Sequence, residues 1–251
     1  MSQTSSSKNL IQPYHLDLWH EVAFTTVNAG NMSTTVLAES ETPEDTKQHR
    51  RAVEEALGIT PGTTRFVSQI HSTTVVEAGP DGWESQPTLG DADAIVSVSG
   101  TAPMAILVAD CMPIAFSTDY GPAAIAHAGR VGLLGGILEK TVERLRALDR
   151  GGRGRIKAVI GPSICGSCYE VPAEMRQQAA HHYSNIASET TWGTPALDLP
   201  AAAEGILEAA DVEVYRINDC TFTNEQFYSH RRQPGAGRIA GFVWKSTKTR
   251  Q

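Results

Sequence analysis

Residues 104–148 read MAILVADCMPIAFSTDYGPAAIAHAGRVGLLGGILEKTVERLRAL. Two apolar runs, 104–109 and 114–117, have the length of buried strands, and a third, 123–126, ends on His127. Between the first two stands Asp110–Cys111. After His127 the period changes. Leu133, Leu134, Ile137, Leu138, Val142, Leu145 and Leu148 recur at helical spacing, so residues 133–148 are expected to form an amphipathic helix. A strand cluster followed by a helix sets the class as α+β with mixed sheets, not a regular doubly wound fold.

The same reading extends outward. Residues 43–57 are expected to be helical, with Thr42 as N-cap, Pro43 in the first turn and Gly58 as the stop. Residues 65–70 are expected to form a strand ending at His71, and 156–160, 212–217 and 239–244 further strands. Residues 201–210 are expected to be helical. Pro80, Gly82, Pro87 and Gly90 make 77–90 a surface loop, and 149–155 reads as a turn. No repeat or long linker divides the chain. The expectation is a flexible entry over 1–20 and one catalytic domain over 21–251, with helices flanking central sheets.

Bulk properties narrow the function classes. The chain has 251 residues and a formal net charge of −7, which argues against a nucleic-acid groove. The first eight residues, MSQTSSSK, lack the apolar core of a signal peptide, and no run reaches the ~20 apolar residues of a membrane span. The expected location is the cytoplasm, with neither nucleic acid nor membrane as partner. Four cysteines in such a chain do not read as a disulfide framework.

His71, Cys111 and His127 all sit at the ends of apolar runs, where a scaffold presents side chains to a cleft. Two imidazoles and a thiolate form a three-ligand zinc set with an open fourth position. The same residues also read as a Cys111 nucleophile activated by a histidine, with Asp110 orienting the imidazole or capping a turn. A buried structural cysteine with core histidines is the bland alternative. Cys165 and Cys168, in CGSC, lack the second pair of a four-cysteine site and read as structural or incidental. Arg231, Arg232 and Arg238 form a basic segment suited to a small anion. Arg130 opens the glycine-rich turn into the 133–148 helix, another anion-binding arrangement.

Together the stretches SQIHSTTVV, GDADAIVS, LVADCMPIAFSTD, AAIAHAGRVGLLGGILEKTV, IGPSICGSCYEV, ALDLPAA and CTFTNEQFYSHRRQPGAGRIAGFVW resemble, in order, the laccase-domain proteins. That family was first described as multicopper polyphenol oxidases. It is now described as zinc-dependent purine nucleoside phosphorylases and, in bacteria, also as a peptidoglycan editing factor. The resemblance implies an α+β fold similar to that of thiol deamidases. It implies metal ligands at His71, Cys111 and His127, with zinc as cofactor and copper as the other metal. Arg231, Arg232, Arg238 and Arg130 become substrate-binding, and Asp110 joins the catalytic group. The implied substrates are a purine nucleoside and phosphate, with adenosine deamination as a side activity. A thiol- or zinc-dependent amidase acting on peptidoglycan precursors is the alternative, and copper-dependent polyphenol oxidation the third. The family's HAGWRG becomes HAGRVG here, with Arg130 at the tryptophan position; IGPC becomes IGPS and RRD becomes RRQ.

Overall fold

The computed structural model describes residues 10–17, 19–119, 121–148 and 154–246. Its centre is a mixed six-stranded sheet. The strands are β3 (Val75–Glu77), β4 (Ala94–Ser97), β6 (Met112–Thr118), β7 (Ala123–Ala128), β8 (Ile156–Ile160) and β11 (Val212–Arg216), in the order β11-β8-β6-β7-β4-β3. A second sheet, antiparallel throughout, has the order β1-β2-β12-β5. It contains β1 (Leu10–His15), β2 (His20–Thr25), β5 (Met104–Val108) and β12 (Ile239–Lys245). A short hairpin pairs β9 (Ala187–Glu189) with β10 (Pro195–Leu197). The helices are α1 (Pro43–Leu57), α2 (Arg130–Leu134), α3 (Ile137–Leu148), α4 (Ala173–His182) and α5 (Leu199–Ala209).

Side-chain alternation explains how these layers stack. In β6, Ile114 and Phe116 join a core with Leu138, Val142 and Leu145 of α3 and Ala203 and Leu207 of α5, while Ala115 points to the other face. In β7, Ala124, Ala126 and Ala128 face the helices, and Ile125 faces Phe24, Ile106, Ile239 and Val243 of the smaller sheet. The far face of that sheet carries Ala23, Phe242 and Trp244, which pack with Val53 and Leu57 of α1. Strands β4, β5, β6, β7, β8 and β12 are therefore covered on both faces, which is why they read as continuous apolar runs, whereas the edge strand β11 alternates and exposes Glu213 and Tyr215. The expected α+β architecture is the one found.

Several boundaries differ from the sequence reading, each for a local reason. The expected 133–148 helix is two helices, because Gly136 has φ +91° and breaks the right-handed path between α2 and α3. Residues 65–70 are not a regular strand. Arg65 bridges to Met104, Ser68 bridges to Asp91, and the Gln69 side chain takes the place of a backbone partner by bonding the N–H and C=O of Leu107. Leu10–His15, within the segment expected to be flexible, pairs with β2 as an edge strand; residues 1–9 lie outside the described residues, as does most of the expected 149–155 turn. Helix α1 matches its signals closely. Thr42 and Asp45 form a capping box, and Gly58 ends the helix in the left-handed region.

Candidate metal centre

The centre lies where the two sheets come closest in sequence. β5 belongs to the small sheet and β6 to the large one, so Ala109, Asp110 and Cys111 make the crossover between them. β7 runs back beside β6 with His127 opposite Pro113, which brings His127 next to Cys111. On its other side β7 pairs with β4 in a register that sets Ala94 opposite Ala126. Asp93, one residue before β4, therefore falls opposite His127, whose N–H donates to the Asp93 carbonyl at 2.7 Å.

Asp93 is fully buried and organises the centre. Its Oδ1 is 2.8 Å from Nδ1 of His127. Its carboxylate also accepts the peptide N–H groups of Ile70, His71 and Ser72 and the hydroxyl of Ser72. Three successive N–H groups converging on one carboxylate form a nest, and the anion held there is a side chain of the protein itself. This holds His71 at φ +59°, a left-handed conformation that is uncommon for a residue with a Cβ. Burial pushes the Asp93 carboxyl up, but the hydrogen bonds from His127 and Ser72 outweigh it and bring the group down to about 2. An ionised Asp93 fixes Nδ1 of His127 as the donor and leaves Nε2 for the centre.

The ligand atoms of His71, Cys111 and His127 all lie within 4.8 Å of one another. Cys111 Sγ is 3.8 Å from Nε2 of His71, and the two imidazole rings meet edge to face at 4.8 Å between centroids. Burial would raise the Cys111 thiol, yet the neighbouring His127 and His71 bring it down to about 6. Burial works against charge on His127 too, but the Cys111 thiolate and Asp93 raise it to about 9. Without a metal, Cys111 and His127 are thus a thiolate–imidazolium pair near neutral pH. Gly129 is required here: a Cβ at that position would sit 2.8 Å from Cys111 Sγ and 2.9 Å from the His71 ring. A cavity of about 610 Å³ opens onto the three residues, with Arg50, Gln69, His230 and Arg238 among its walls. A second cleft, of about 680 Å³, is lined by Arg65, Pro80 and Ser99 and contains none of these groups.

Asp110 has a different task from the one its position beside Cys111 implied. Its carboxylate accepts the Thr221 hydroxyl and the Arg231 N–H, each at 2.7 Å, and so ties two loops to the crossover. These contacts stabilise its φ of +89°. The carboxylate that orients a histidine is Asp93. The sequence held a signal for it: GDADAIVS puts a charged residue immediately before an apolar strand.

The arginines are not equivalent. Arg238 lines the cavity, and burial lowers its affinity for a proton against the opposing pull of Cys111 and Asp110. The Arg231 guanidinium lies 5.1 Å from the Tyr169 ring centre and donates to the Glu170 carbonyl. Arg232 donates to the carbonyls of Thr221, Phe222 and Phe227 and staples its own loop. Arg130 begins α2 and, like Arg231, neighbours Tyr169.

Known proteins share this architecture. A family model described as multi-copper polyphenol oxidoreductase laccase matches residues 19–246. The chain belongs to that family. Among curated relatives, a purine nucleoside phosphorylase of Streptomyces griseus is 37% identical over 191 residues, covering 75% of this chain and 76% of its own. One of Streptomyces coelicolor is 36% identical over 198 residues, covering 78% and 81%. One of Corynebacterium glutamicum is 34% identical over 207 residues, covering 80% and 82%. In solved structures, the Neisseria meningitidis protein NMB0706 superposes with a TM-score of 0.79 at 28% identity, covering 95% of this chain and 99% of that one. YlmD of Geobacillus stearothermophilus gives a TM-score of 0.78 at 24% identity over 92% and 97%, a likeness of fold. No helix among the described residues is long and apolar enough to cross a membrane.

Proposed function

We propose that this protein is a purine nucleoside phosphorylase whose reaction takes place at the His71–Cys111–His127 centre. The observation that carries the reading is that relatives named for this activity, 34–37% identical, align over at least three quarters of the chain. The open cavity at the centre, walled in part by Arg238 and His230, is consistent with it. In the proposed reaction a phosphate oxygen bonds to the anomeric carbon of adenosine, inosine or guanosine. The bond from that carbon to the purine breaks, its electron pair leaves with the base, and the base takes up a proton. The transition state has oxocarbenium character, so positioning and electrostatics supply most of the rate.

The donor set fits a zinc ion. Two imidazoles and a thiolate converge, and Asp93 supplies the outer hydrogen bond that fixes a ligating histidine. Bound zinc would act as a Lewis acid and lower the pKa of a water ligand to about 7, which is also how adenosine deamination would arise. The protein's own groups do the remaining work. Asp93 holds the His127 tautomer, Asp110 fixes the Cys111 backbone, and Arg238 presents a fork suited to phosphate oxygens. Among the arginines, Arg238 is the phosphate residue we favour, because it lines the cavity and donates to the Ala236 and Gly237 carbonyls through Nη1, whereas Arg232 donates to carbonyls through both Nη1 and Nη2. We further propose that the protein works in the cytoplasm, with 21–251 as the catalytic unit.

A thiol-dependent amidase is the second reading, favoured by one observation: Cys111 Sγ lies 3.8 Å from Nε2 of His71 and within 4.8 Å of a ring nitrogen of His127, a thiol with a base in reach. A single set of reactions separates the two. Metal-loaded protein is incubated with inosine, with and without phosphate, and hypoxanthine and ribose 1-phosphate are measured. Hypoxanthine released equally fast without phosphate, together with free ribose, would show a hydrolase. No cleavage at all, with trapping of Cys111 by an electrophilic amide analogue, would favour the amidase.

A further inference from the structure

Three more sulfurs meet away from that centre. Cys165 and Cys168 lie in the loop after β8, and Cys220 in the loop after β11. β8 and β11 are parallel neighbours, in register from Ile156 opposite Val212 to Ile160 opposite Arg216, so both loops leave the same end of the sheet. A bridge between Ser163 and Cys220 continues the pairing past the strands, and the Thr221 N–H donates to the Ser163 carbonyl at 3.1 Å. The three Sγ atoms all lie within 4.8 Å of one another. All three cysteines are free; Cys168 is buried and the other two half-buried. The Cys165 N–H also donates to Cys220 Sγ at 3.4 Å, a contact that favours a thiolate. CGSC lacks a partner pair in the sequence, and the fold supplies Cys220, 52 residues beyond Cys168, as a third donor.

A disulfide would use only two of the three sulfurs and would require an acceptor for two electrons, which nothing in the structure supplies. A metal uses all three: the cation binds three thiolates and three protons leave to solvent. Soft sulfur donors select soft closed-shell cations. We propose that Cys165, Cys168 and Cys220 form a second, all-thiolate site for such a cation, zinc(II) or copper(I), which clamps the β8 and β11 loops together.

The clamp has a reason to be there. Ile164, beside Cys165, donates its N–H to the Asp110 carbonyl at 2.9 Å, and Thr221, beside Cys220, donates its hydroxyl to the Asp110 carboxylate. Both loops thus hold the residue that precedes Cys111. The proposed cation is a positioning element for the first centre, one residue removed from each of its anchors.

Cobalt(II) binding by full-length Cys111→Ser protein, reduced and kept anaerobic, tests the assignment. No thiolate then remains at the first centre, so any sulfur-to-cobalt charge-transfer absorption reports the cluster. We expect the band in Cys111→Ser and its loss in Cys111→Ser/Cys220→Ser. Separate titrations with zinc and with copper(I) identify the occupant by which ion displaces cobalt at stoichiometric amounts. In the otherwise native chain, Cys220→Ser should lower the content of the ion so identified by about one per chain and lower the melting temperature of the protein loaded with it. Absence of the band in a Cys111→Ser protein that melts like the native one overturns the proposal. If Cys111→Ser does not fold, a Cys220→Ser protein that binds as much zinc and as much copper(I) as the native chain overturns it instead.

Discussion

The His71–Cys111–His127 centre and the Cys165–Cys168–Cys220 cluster are equally compact, yet they are held in place by different means. In the first, His127 is set by strand register and the centre is tied to a buried carboxylate that five hydrogen-bond donors surround. The second is carried by two loops, and its sulfurs are met by backbone N–H groups of those loops, Cys165, Phe222 and Thr223 at Cys220 and Ser167 at Cys165. The first also opens onto a cavity that the second does not line. In the first centre a strand holds His127 and the Asp93 and Asp110 carboxylates hold the turns that present His71 and Cys111, while in the second the ligands serve to tie their loops together. On this comparison the centre should be intolerant of change in its ligands and in Asp93, and the cluster should affect activity only indirectly.

The largest effect separates the two groups outright. Cys111→Ser should abolish nucleoside cleavage and remove the metal of the first centre. Cys165→Ala and Cys168→Ala should keep most of the activity. Assays of hypoxanthine release alongside elemental analysis read both; a Cys165→Ala enzyme that is dead with its first metal retained would show that the cluster is more than a clamp.

Asp93→Asn tests the orienting carboxylate. The amide offers one acceptor oxygen where the carboxylate offers two, so it cannot receive all the present donors. Loss of such an outer-shell partner weakens metal affinity by roughly 10–100-fold. The same change should reduce stability by about 1.5–3 kcal/mol, the scale of a hydrogen bond to a buried charge. The native contribution has a defined pH window. Because the folded Asp93 pKa lies below its unfolded value, its stabilisation is full above the unfolded pKa and disappears as pH falls through about 2. Denaturant titration between pH 2 and 6 checks this; an Asp93→Asn protein with native metal affinity would show that His127 needs no partner.

Metal-free protein gives a further contrast. The Cys111 pKa is depressed to about 6, so the thiolate forms as pH rises through that value rather than through 9. Alkylation of Cys111 by iodoacetamide should reach half its plateau rate near pH 6. Cys168, pushed up to about 12 by burial and by its sulfur neighbours, should stay unreactive over the same range. The sign for His127 follows from the same pair. Its folded pKa is raised, so its contribution is lost as pH rises through about 9; below about 6, where Cys111 is protonated, the share that remains is the one owed to Asp93. Peptide mapping after timed alkylation distinguishes the cysteines; a Cys111 midpoint near 9 would remove the ion pair.

How much of this was legible in the sequence depends on the range of the interaction. Helix α1 was readable because Thr42, Asp45, Pro43 and Gly58 are local signals. His71, Cys111 and His127 were readable as ends of apolar runs, and the family motifs placed them together. Asp93 was not singled out, because its partner is 34 residues away and only the β4–β7 register makes them neighbours. Asp110 shows the converse: adjacency to Cys111 in sequence left a histidine partner and a turn cap equally open, and its carboxylate instead accepts donors from loops more than 100 residues on. Cys220 joins CGSC only through the parallel β8–β11 pairing. β1, β2, β4, α4 and the β9–β10 hairpin lacked periodic or capping signals strong enough to mark them.

The smallest predicted effect concerns the arginines. The sequence makes Arg231 the natural phosphate residue, since it stands beside His230 in a glycine-rich segment. In the structure its guanidinium is engaged with Tyr169 and the Glu170 carbonyl, whereas Arg238, whose Nη1 donates to the Ala236 and Gly237 carbonyls, lines the cavity. Lysine keeps the charge but not the planar fork, so Arg→Lys isolates bidentate binding from simple attraction. Arg238→Lys should raise the KM for phosphate about tenfold, the equivalent of roughly 1.5 kcal/mol for one charge-assisted hydrogen bond, with little change in the KM for nucleoside. Arg231→Lys should change the phosphate KM less than this and lower the melting temperature slightly, because it loosens the contact over Tyr169. Phosphate titrations at saturating inosine measure both. If Arg231→Lys has the larger phosphate effect, the anion lies on the Tyr169 side of Asp110 rather than in the cavity walled by Arg238.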